Sequence, residues 1–140
     1  MSAHSELGPS GAHRWLNCPG SYAATKDLPE ETSEFAEEGT DAHELAEICL
    51  TQKRTARAFI GQTPLINKER VIDEDMAYYV QQYVDYVRAI PGDQEYEQPV
   101  DYSQWVPGGF GTADAIVIDG DTIHIIDLKY GKGVEVHADR

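Results

Sequence analysis

The sequence has few cysteines and no long apolar run. Two cysteines in 140 residues, Cys18 and Cys49, are too few for a disulfide framework and form no paired zinc motif, so we expect reduced thiols. No stretch approaches the roughly 20 apolar residues that a membrane span needs, and the first residues lack a basic patch and an apolar signal core. We therefore expect a cytoplasmic protein with no membrane partner.

Positive charge is also scarce. The chain has 11 Lys and Arg against 25 Asp and Glu, a formal net charge of −14. Such a charge repels phosphate backbones and argues against simple non-specific nucleic-acid binding. The acidity is uneven, because the segment from Asp27 to Glu47 holds nine acidic residues and no Lys or Arg. A run of this kind is typical of a solvated surface, and metal ions can offset such charge locally.

The rest of the composition is that of a globular protein. Hydrophobic residues make up 41% and charged residues 26% of the chain, so a folded core is expected. The length suits one domain and is short for two. We predict a single domain over residues 1–140, with a helical part at 1–93 and a β-rich part at 94–140. This is an α/β protein of the α+β kind, with N-terminal helices followed by a mainly antiparallel sheet.

The helical part contains one strong helical pattern and one weaker pattern before it. Asp73 is the predicted N-cap of a segment in which apolar residues recur at three- and four-residue spacings until Pro91. We interpret the aromatic residues of this stripe as core packing. In the weaker pattern, Thr40 caps a helix that runs to about Leu50, and a start near Ser33 is the alternative.

Two further segments of the helical part carry weaker signals. Ser10 is the predicted cap of a short helix through Leu16, which the sequence Cys18-Pro19-Gly20 ends. A loop with Asp27, Pro29 and Glu30 follows. The pattern between Thr51 and Arg70 indicates a loop with short elements.

The pattern becomes extended from Glu95 onward. It predicts three strands, at residues 96–102, 111–118 and 122–129. Between the last two, Asp119-Gly120 indicates a two-residue type I′ hairpin turn, because both residues tolerate positive φ. This turn places Ile118 opposite Asp121.

The predicted hairpin brings charged residues onto one face of the sheet. Asp114 then faces Ile125 and lies diagonally across from Asp127, and Lys129 points to the same side. A diagonal pair is about 7–8 Å apart at the backbone, which allows two carboxylates to hold one cation. Charges among the isoleucines of this face would be costly without a partner or a metal. The alternative is an ordinary surface ion pair between Asp127 and Lys129.

Four motifs in the chain resemble, in order, those of a known enzyme superfamily. Gly111-Thr112-Ala113-Asp114 and Ile126-Asp127-Leu128-Lys129-Tyr130-Gly131 resemble the G-x-x-D and D-x-K signatures of RecB-like exonucleases in the PD-(D/E)xK nuclease superfamily. Upstream, Gly39-Thr40-Asp41-Ala42-His43-Glu44-Leu45 resembles the helical histidine motif of the same group. Residues 10–21 resemble the N-terminal segment of these nucleases, and more closely that of an uncharacterised phage and prophage family.

The resemblance implies a metal site in a restriction-endonuclease-like core. The implied ligands of Mg²⁺ or Mn²⁺ are the side chains of His43, Asp114 and Asp127 and the carbonyl of Leu128. An imidazole with carboxylates favours Mn²⁺, whereas carboxylate and carbonyl oxygens suit Mg²⁺ equally. Lys129, with Asp127 and Asp114, would be catalytic. Glu97 is a candidate for an extra ligand or water-holding base, and its alternative is an exposed strand glutamate.

The function implied is hydrolysis of phosphodiester bonds. The substrate would be single- or double-stranded DNA, cut in the exonuclease mode during phage or prophage recombination in a bacterial host or infected cell. Family members continue after D-x-K with a strand, a helix and a last strand, so this chain resembles a C-terminally truncated member. A second copy of the chain would then cover the exposed sheet.

The resemblance raises one cofactor question. Some relatives hold an iron–sulfur cluster through an N-terminal cysteine, placed like Cys18, and three C-terminal ones. Cys49 is not placed to substitute for these, so we expect no cluster in this chain and interpret Cys18 as a small packed residue.

Two other functions fit the sequence. The first is a catalytically inactive, nuclease-like module that binds DNA or a recombination protein. The second is an acidic DNA mimic that occupies a partner's basic groove. The D-x-K motif argues against the mimic, because mimicry requires charge and no particular lysine.

Overall fold

Helices precede a small sheet in the computed structural model, which describes residues 5–29, 33–63 and 70–131. The elements of these residues are α1 Ala12–Asn17, α2 Gly20–Thr25, α3 Glu34–Gln52, α4 Glu74–Ala89, β1 Asp93–Asp101, β2 Phe110–Asp119 and β3 Thr122–Ile126, with short 3-10 helices at Pro9–Gly11 and Ala56–Phe59. The sheet order is β1-β2-β3, and β2 pairs with β3 antiparallel. The predicted α+β class is confirmed. None of the helices in the described ranges is long and apolar enough to cross a membrane.

The described residues divide into two compact units. The first contains residues 5–29 and 99–112, and the second contains residues 33–63, 70–98 and 113–131. Within the first unit, Ser5 Oγ donates a hydrogen bond to the carbonyl of Gly108 at 3.1 Å. The hydroxyl of Tyr102 donates a hydrogen bond to the carbonyl of Leu7, also at 3.1 Å. All the candidate site residues lie in the second unit. The single domain over residues 1–140 stays a prediction.

Helix α3 begins earlier than Thr40. Ser33 caps it, because the Ser33 hydroxyl accepts a hydrogen bond from the backbone N–H of Ala36 at 3.2 Å. Glu34 and Glu37 lie in the first turn, where negative charge is favourable at the positive end of the helix dipole. The start at Thr40 is therefore wrong, and the alternative near Ser33 is confirmed.

Helix α4 agrees with the sequence pattern. Asp73 caps it by accepting a hydrogen bond from the backbone N–H of Met76 at 2.8 Å, and the helix ends before Pro91. Its apolar stripe is buried in one core with residues of α3 and β2. The fully buried members of this core with the largest side chains include Leu45, Cys49, Val80, Val84, Val87 and Val117. The interpretation of the aromatic residues as core packing is confirmed for Tyr83, which is 9% exposed, and wrong for Tyr79, which is 57% exposed.

The N-terminal segment differs from the sequence prediction. Ser10 lies inside the 3-10 helix, and the N-cap of α1 is Gly11 without a side-chain hydrogen bond, so the predicted Ser10 cap is wrong. Helix α2 lies between the predicted short helix and the predicted loop, where the sequence indicated no helix. Pro19 precedes it directly, and proline suits a helix start because the first N–H groups have no intrahelical acceptor. Cys18 is exposed, so its interpretation as a packed residue is wrong.

The segment after α3 contains the 3-10 helix Ala56–Phe59, one of the short elements that the sequence allowed. Residues 64–69 of the predicted loop lie outside the described residues.

The β2–β3 turn lies one residue later than predicted. Asp119 pairs with Thr122, so the two loop residues are Gly120 and Asp121. Gly120 has a φ of 57°, whereas Asp121 does not have a positive φ. This is the pattern of a type II′ turn, which has glycine first, rather than of type I′, which would force an aspartate to positive φ as well. The predicted turn and the pair of Ile118 with Asp121 are wrong.

The corrected register changes the partners but not the faces. Ile125 pairs with Ile116 instead of Asp114. Each partner shifts by two residues, an even number, so the paired strand residues that were predicted to share a face still share it. Strand β3 ends at Ile126, so Asp127 and Lys129 lie beyond it, and the predicted strand to residue 129 is too long.

The buried face of the sheet is the one opposite the isoleucines. Ala113, Ala115 and Val117 are buried, whereas Ile123 is 64% and Ile125 70% exposed. The expectation that the charged residues lie among buried isoleucines is therefore wrong.

Candidate metal site

The candidate site residues come from four parts of the second unit. His43 lies in α3, Glu97 in β1 and Asp114 in β2, and residues 127–129 follow β3 directly. Among them, the structure brings His43, Glu97, Asp114 and Leu128 together in one crevice.

His43 and Asp114 form the centre of the site. Nε2 of His43 is 3.1 Å from Oδ2 of Asp114, although the two residues are 71 positions apart in the chain. The other ring nitrogen, Nδ1, donates a hydrogen bond to the carbonyl of Gly39, one turn earlier in α3, at 2.7 Å. A backbone carbonyl on one ring nitrogen fixes the orientation of the imidazole and directs the other nitrogen at its partner, as in many metal-binding histidines.

Electrostatics favour the protonated form of His43 in this arrangement. The hydrogen bond with Asp114 raises the pKa of His43 to about 9, against the opposing effect of burial, and the carbonyl of Gly39 adds to the rise. With both ring nitrogens donating, the side chain is an imidazolium at neutral pH. A metal ion that used Nε2 would therefore have to displace a proton.

Asp114 is held as a carboxylate. Its Oδ2 atom also accepts a hydrogen bond from the backbone N–H of Leu128 at 2.7 Å. Burial on its own raises the pKa of Asp114, but the hydrogen bonds from His43 and Leu128 and the charge of Lys129 outweigh it, and the net shift is downward. A half-buried carboxylate that stays ionised is a suitable ligand for a hard cation.

Glu97 adds a second carboxylate in an uncommon backbone conformation. Its φ is 49°, in the left-handed region that non-glycine residues rarely adopt. Glu97 is partly buried, and burial, followed by the negative charges of Asp114 and Glu47, raises its pKa. Neither feature fits an ordinary exposed strand glutamate, so this alternative is wrong. Backbone strain of this kind is concentrated at functional sites.

Asp127 and Lys129 lie at the solvent side. Their side chains are about half exposed, and Lys129 Nζ is 2.6 Å from Oδ2 of Asp127. The positive charge of Lys129 nevertheless reaches Asp114, whose pKa it lowers. The surface ion pair that the sequence offered as the alternative is therefore present, and neither Asp127 nor Lys129 is among the residues that line the crevice.

The crevice is defined by eight residues: His43, Ala46, Glu47, Leu50, Tyr83, Glu97, Asp114 and Leu128. It is too narrow to admit a water molecule. Sequence reasoning missed Glu47 and Tyr83. Glu47 is one helical turn from His43, a spacing that could have indicated it. No sequence signal separates Tyr83 from the other core residues of α4.

The donors present fit Mg²⁺ or Mn²⁺ in chemical type. One imidazole nitrogen, carboxylates and a main-chain carbonyl form the mixed nitrogen and oxygen set that these cations accept. No three His, Cys, Asp or Glu side chains within residues 5–29, 33–63 and 70–131 are close enough together to hold an ion as they stand. In the site itself, Asp127 is turned to Lys129, and His43 is bonded to Asp114.

Comparison with models of protein families assigns the chain to a family. The family model described as "Protein of unknown function (DUF2800)" matches residues 4–140, which is nearly the whole chain. No solved structure matches the chain.

Proposed function

The chain belongs to the DUF2800 family, and we propose that it is a metal-dependent DNA nuclease of the PD-(D/E)xK type. The main support is the contact between His43 and Asp114, which joins the histidine motif to the G-x-x-D motif over 71 positions. The resemblance requires these two residues to share one ion. Two ligands of one ion are expected to lie close together, and these two side chains are 3.1 Å apart.

The proposed ligands are His43 through Nε2, the carboxylates of Asp114 and Asp127, and the carbonyl of Leu128, with Glu97 as an additional ligand. The bound ion would polarise the scissile phosphate and lower the pKa of a water molecule. Asp114 and Glu97 carry the negative charge that offsets a dication in a half-buried site.

The protein's own groups orient this chemistry. The carbonyl of Gly39 holds the Nδ1 proton of His43, and the N–H of Leu128 holds Asp114. Asp127 holds the ammonium of Lys129 at the solvent side. From there Lys129 would approach a phosphate and stabilise the charge that develops during cleavage, which a compact ammonium does well.

The substrate we propose is linear DNA, single- or double-stranded, cut from an end in phage or prophage recombination. This reaction takes place in the cytoplasm of a bacterial host or infected cell. The net charge of −14 opposes DNA binding, so a divalent ion would contribute to affinity as well as to catalysis.

Digestion of linear DNA with Mn²⁺ tests the proposal. The parent is compared with Asp114→Asn and Lys129→Ala, and with two matched controls at exposed positions, Asp119→Asn on the same strand and Lys26→Ala at the end of α2. We expect cutting by the parent and both controls. We expect activity at least about a hundredfold lower in the two site variants, the usual scale for loss of a group that stabilises transition-state charge. Cutting that survives both site substitutions would refute the nuclease assignment.

A second candidate is a nuclease-like module that binds DNA or a recombination protein without cutting. The observation that favours it is the close ion pair of Asp127 with Lys129, which occupies two of the proposed catalytic groups. DNA binding by the parent without any Mn²⁺-dependent cutting would support this function instead.

A further inference from the structure

Tyr83 carries an unpaired hydroxyl at the crevice. The side chain is 9% exposed, and its hydroxyl oxygen is buried without a hydrogen-bond partner among the residues that the structure describes. The residue lines the crevice together with His43, Glu97 and Asp114. Buried polar groups are nearly always paired, because an unpaired one loses its hydrogen bonds to water without replacement.

The groups around this hydroxyl are mainly acceptors. Apart from His43, the charged residues of the crevice are the carboxylates of Glu47, Glu97 and Asp114. Burial and the negative charges of Asp114, Glu97 and Asp127 raise the pKa of Tyr83, so the phenol keeps its proton at neutral pH. Tyr83 is therefore a neutral donor beside carboxylates to which it is not hydrogen-bonded.

Asp114 would lose one of its hydrogen-bond donors if a metal ion bound to His43. Its Oδ2 atom receives both hydrogen bonds, from His43 and from the N–H of Leu128, and no described residue donates to Oδ1. As a metal ligand, His43 must release the Nε2 proton and cannot donate to Asp114.

We propose that Tyr83 is a positioning residue for Asp114 in the metal-bound protein. Its hydroxyl donates a hydrogen bond to the Asp114 carboxylate and replaces the bond that His43 gives up. This inference rests on the proposed metal site. Groups that hold a ligand in this way set metal affinity without touching the ion.

The test compares Tyr83→Phe with Tyr96→Phe. Tyr96 is a matched control, because its hydroxyl already has a partner, Oε1 of Gln94 at 2.7 Å. For each protein we measure Mn²⁺ affinity by competition with a fluorescent chelator, and Tm with and without Mn²⁺. Circular dichroism verifies that each variant is folded at the temperature of the affinity measurement.

The two variants have opposite expected results. Tyr83→Phe keeps or raises the Tm of the metal-free protein, because an unpaired hydroxyl is removed, and weakens Mn²⁺ binding about tenfold or more. Tyr96→Phe lowers the Tm equally with and without Mn²⁺ and leaves Mn²⁺ affinity unchanged.

Three results would overturn the inference. Equal Mn²⁺ affinity in the parent and Tyr83→Phe would refute the role of Tyr83 and leave the metal site intact. A lower Tm of metal-free Tyr83→Phe would show that the hydroxyl already has a partner. Failure of the parent to bind Mn²⁺ would refute the proposed function itself, and the inference with it.

Discussion

The buried ion pair of Asp41 and Arg70 allows a quantitative prediction about stability. Asp41 lies in α3, two residues before His43, and is 0% exposed. Arg70 Nε is 2.9 Å from Oδ2 of Asp41. Burial raises the pKa of Asp41, and the charge of Arg70 opposes that rise.

Arg70→Ala would leave this carboxylate buried and unpaired. We expect the free energy of unfolding at pH 7 to fall by about 3–5 kcal/mol, the typical effect of removing one partner of a buried ion pair. For a chain of this length the Tm would fall by roughly 10 °C. The other two contacts of Arg70, with Glu34 at 4.0 Å and Glu37 at 3.7 Å, involve exposed carboxylates and contribute little.

Urea unfolding at neutral and acidic pH measures the effect. Because the pKa of Asp41 is raised in the folded protein, the stability linked to its neutral form is present below the unfolded value of 3.8 and is lost as the pH rises through the folded pKa. The deficit of Arg70→Ala should therefore shrink as the pH falls. Asp41→Asn in the Arg70→Ala background should recover most of the loss at pH 7. A loss of unfolding free energy under about 1 kcal/mol in Arg70→Ala, as for a surface ion pair, would refute the reasoning. A double variant that is no more stable than Arg70→Ala would refute it as well.

Two further predictions concern the site. The pKa of His43 is raised from 6.5 to about 9. The stability that comes from its pairing with Asp114 is therefore full below pH 6.5 and is lost as the pH rises through about 9. In thermal melts across this pH range, His43→Gln should remove this pH dependence of the Tm. If the Tm of metal-free His43→Gln varied with pH as that of the parent does, this prediction would be contradicted. Glu97→Gly should be about 1 kcal/mol more stable than Glu97→Ala in urea unfolding, because only glycine relieves the positive φ. Equal stability of these two variants would show that the backbone at Glu97 is unstrained.

The sequence by itself determined the elements with strong local signals. Helix α4 follows from the spacing of its apolar residues and from Asp73, whose side chain can satisfy a free N–H at the helix start. The hairpin follows from alternation and from Gly120. The turn was misplaced by one residue, but side chains alternate with a period of two, so the resulting two-residue shift in pairing kept the paired residues of β2 and β3 on their predicted faces.

Only the tertiary structure decided which side of the sheet is buried and which distant residues meet. Alternation shows that a strand has two faces, but the helices that pack on one of them select the buried face, and this was the face of Ala115 and Val117 rather than of the isoleucines. Three features of the site depend on packing between segments that are far apart in the chain. They are the contact of His43 with Asp114, the left-handed backbone of Glu97 and the unpaired hydroxyl of Tyr83. Local propensity carries no information on such contacts, because each residue's own backbone preferences are the same whichever partner it meets.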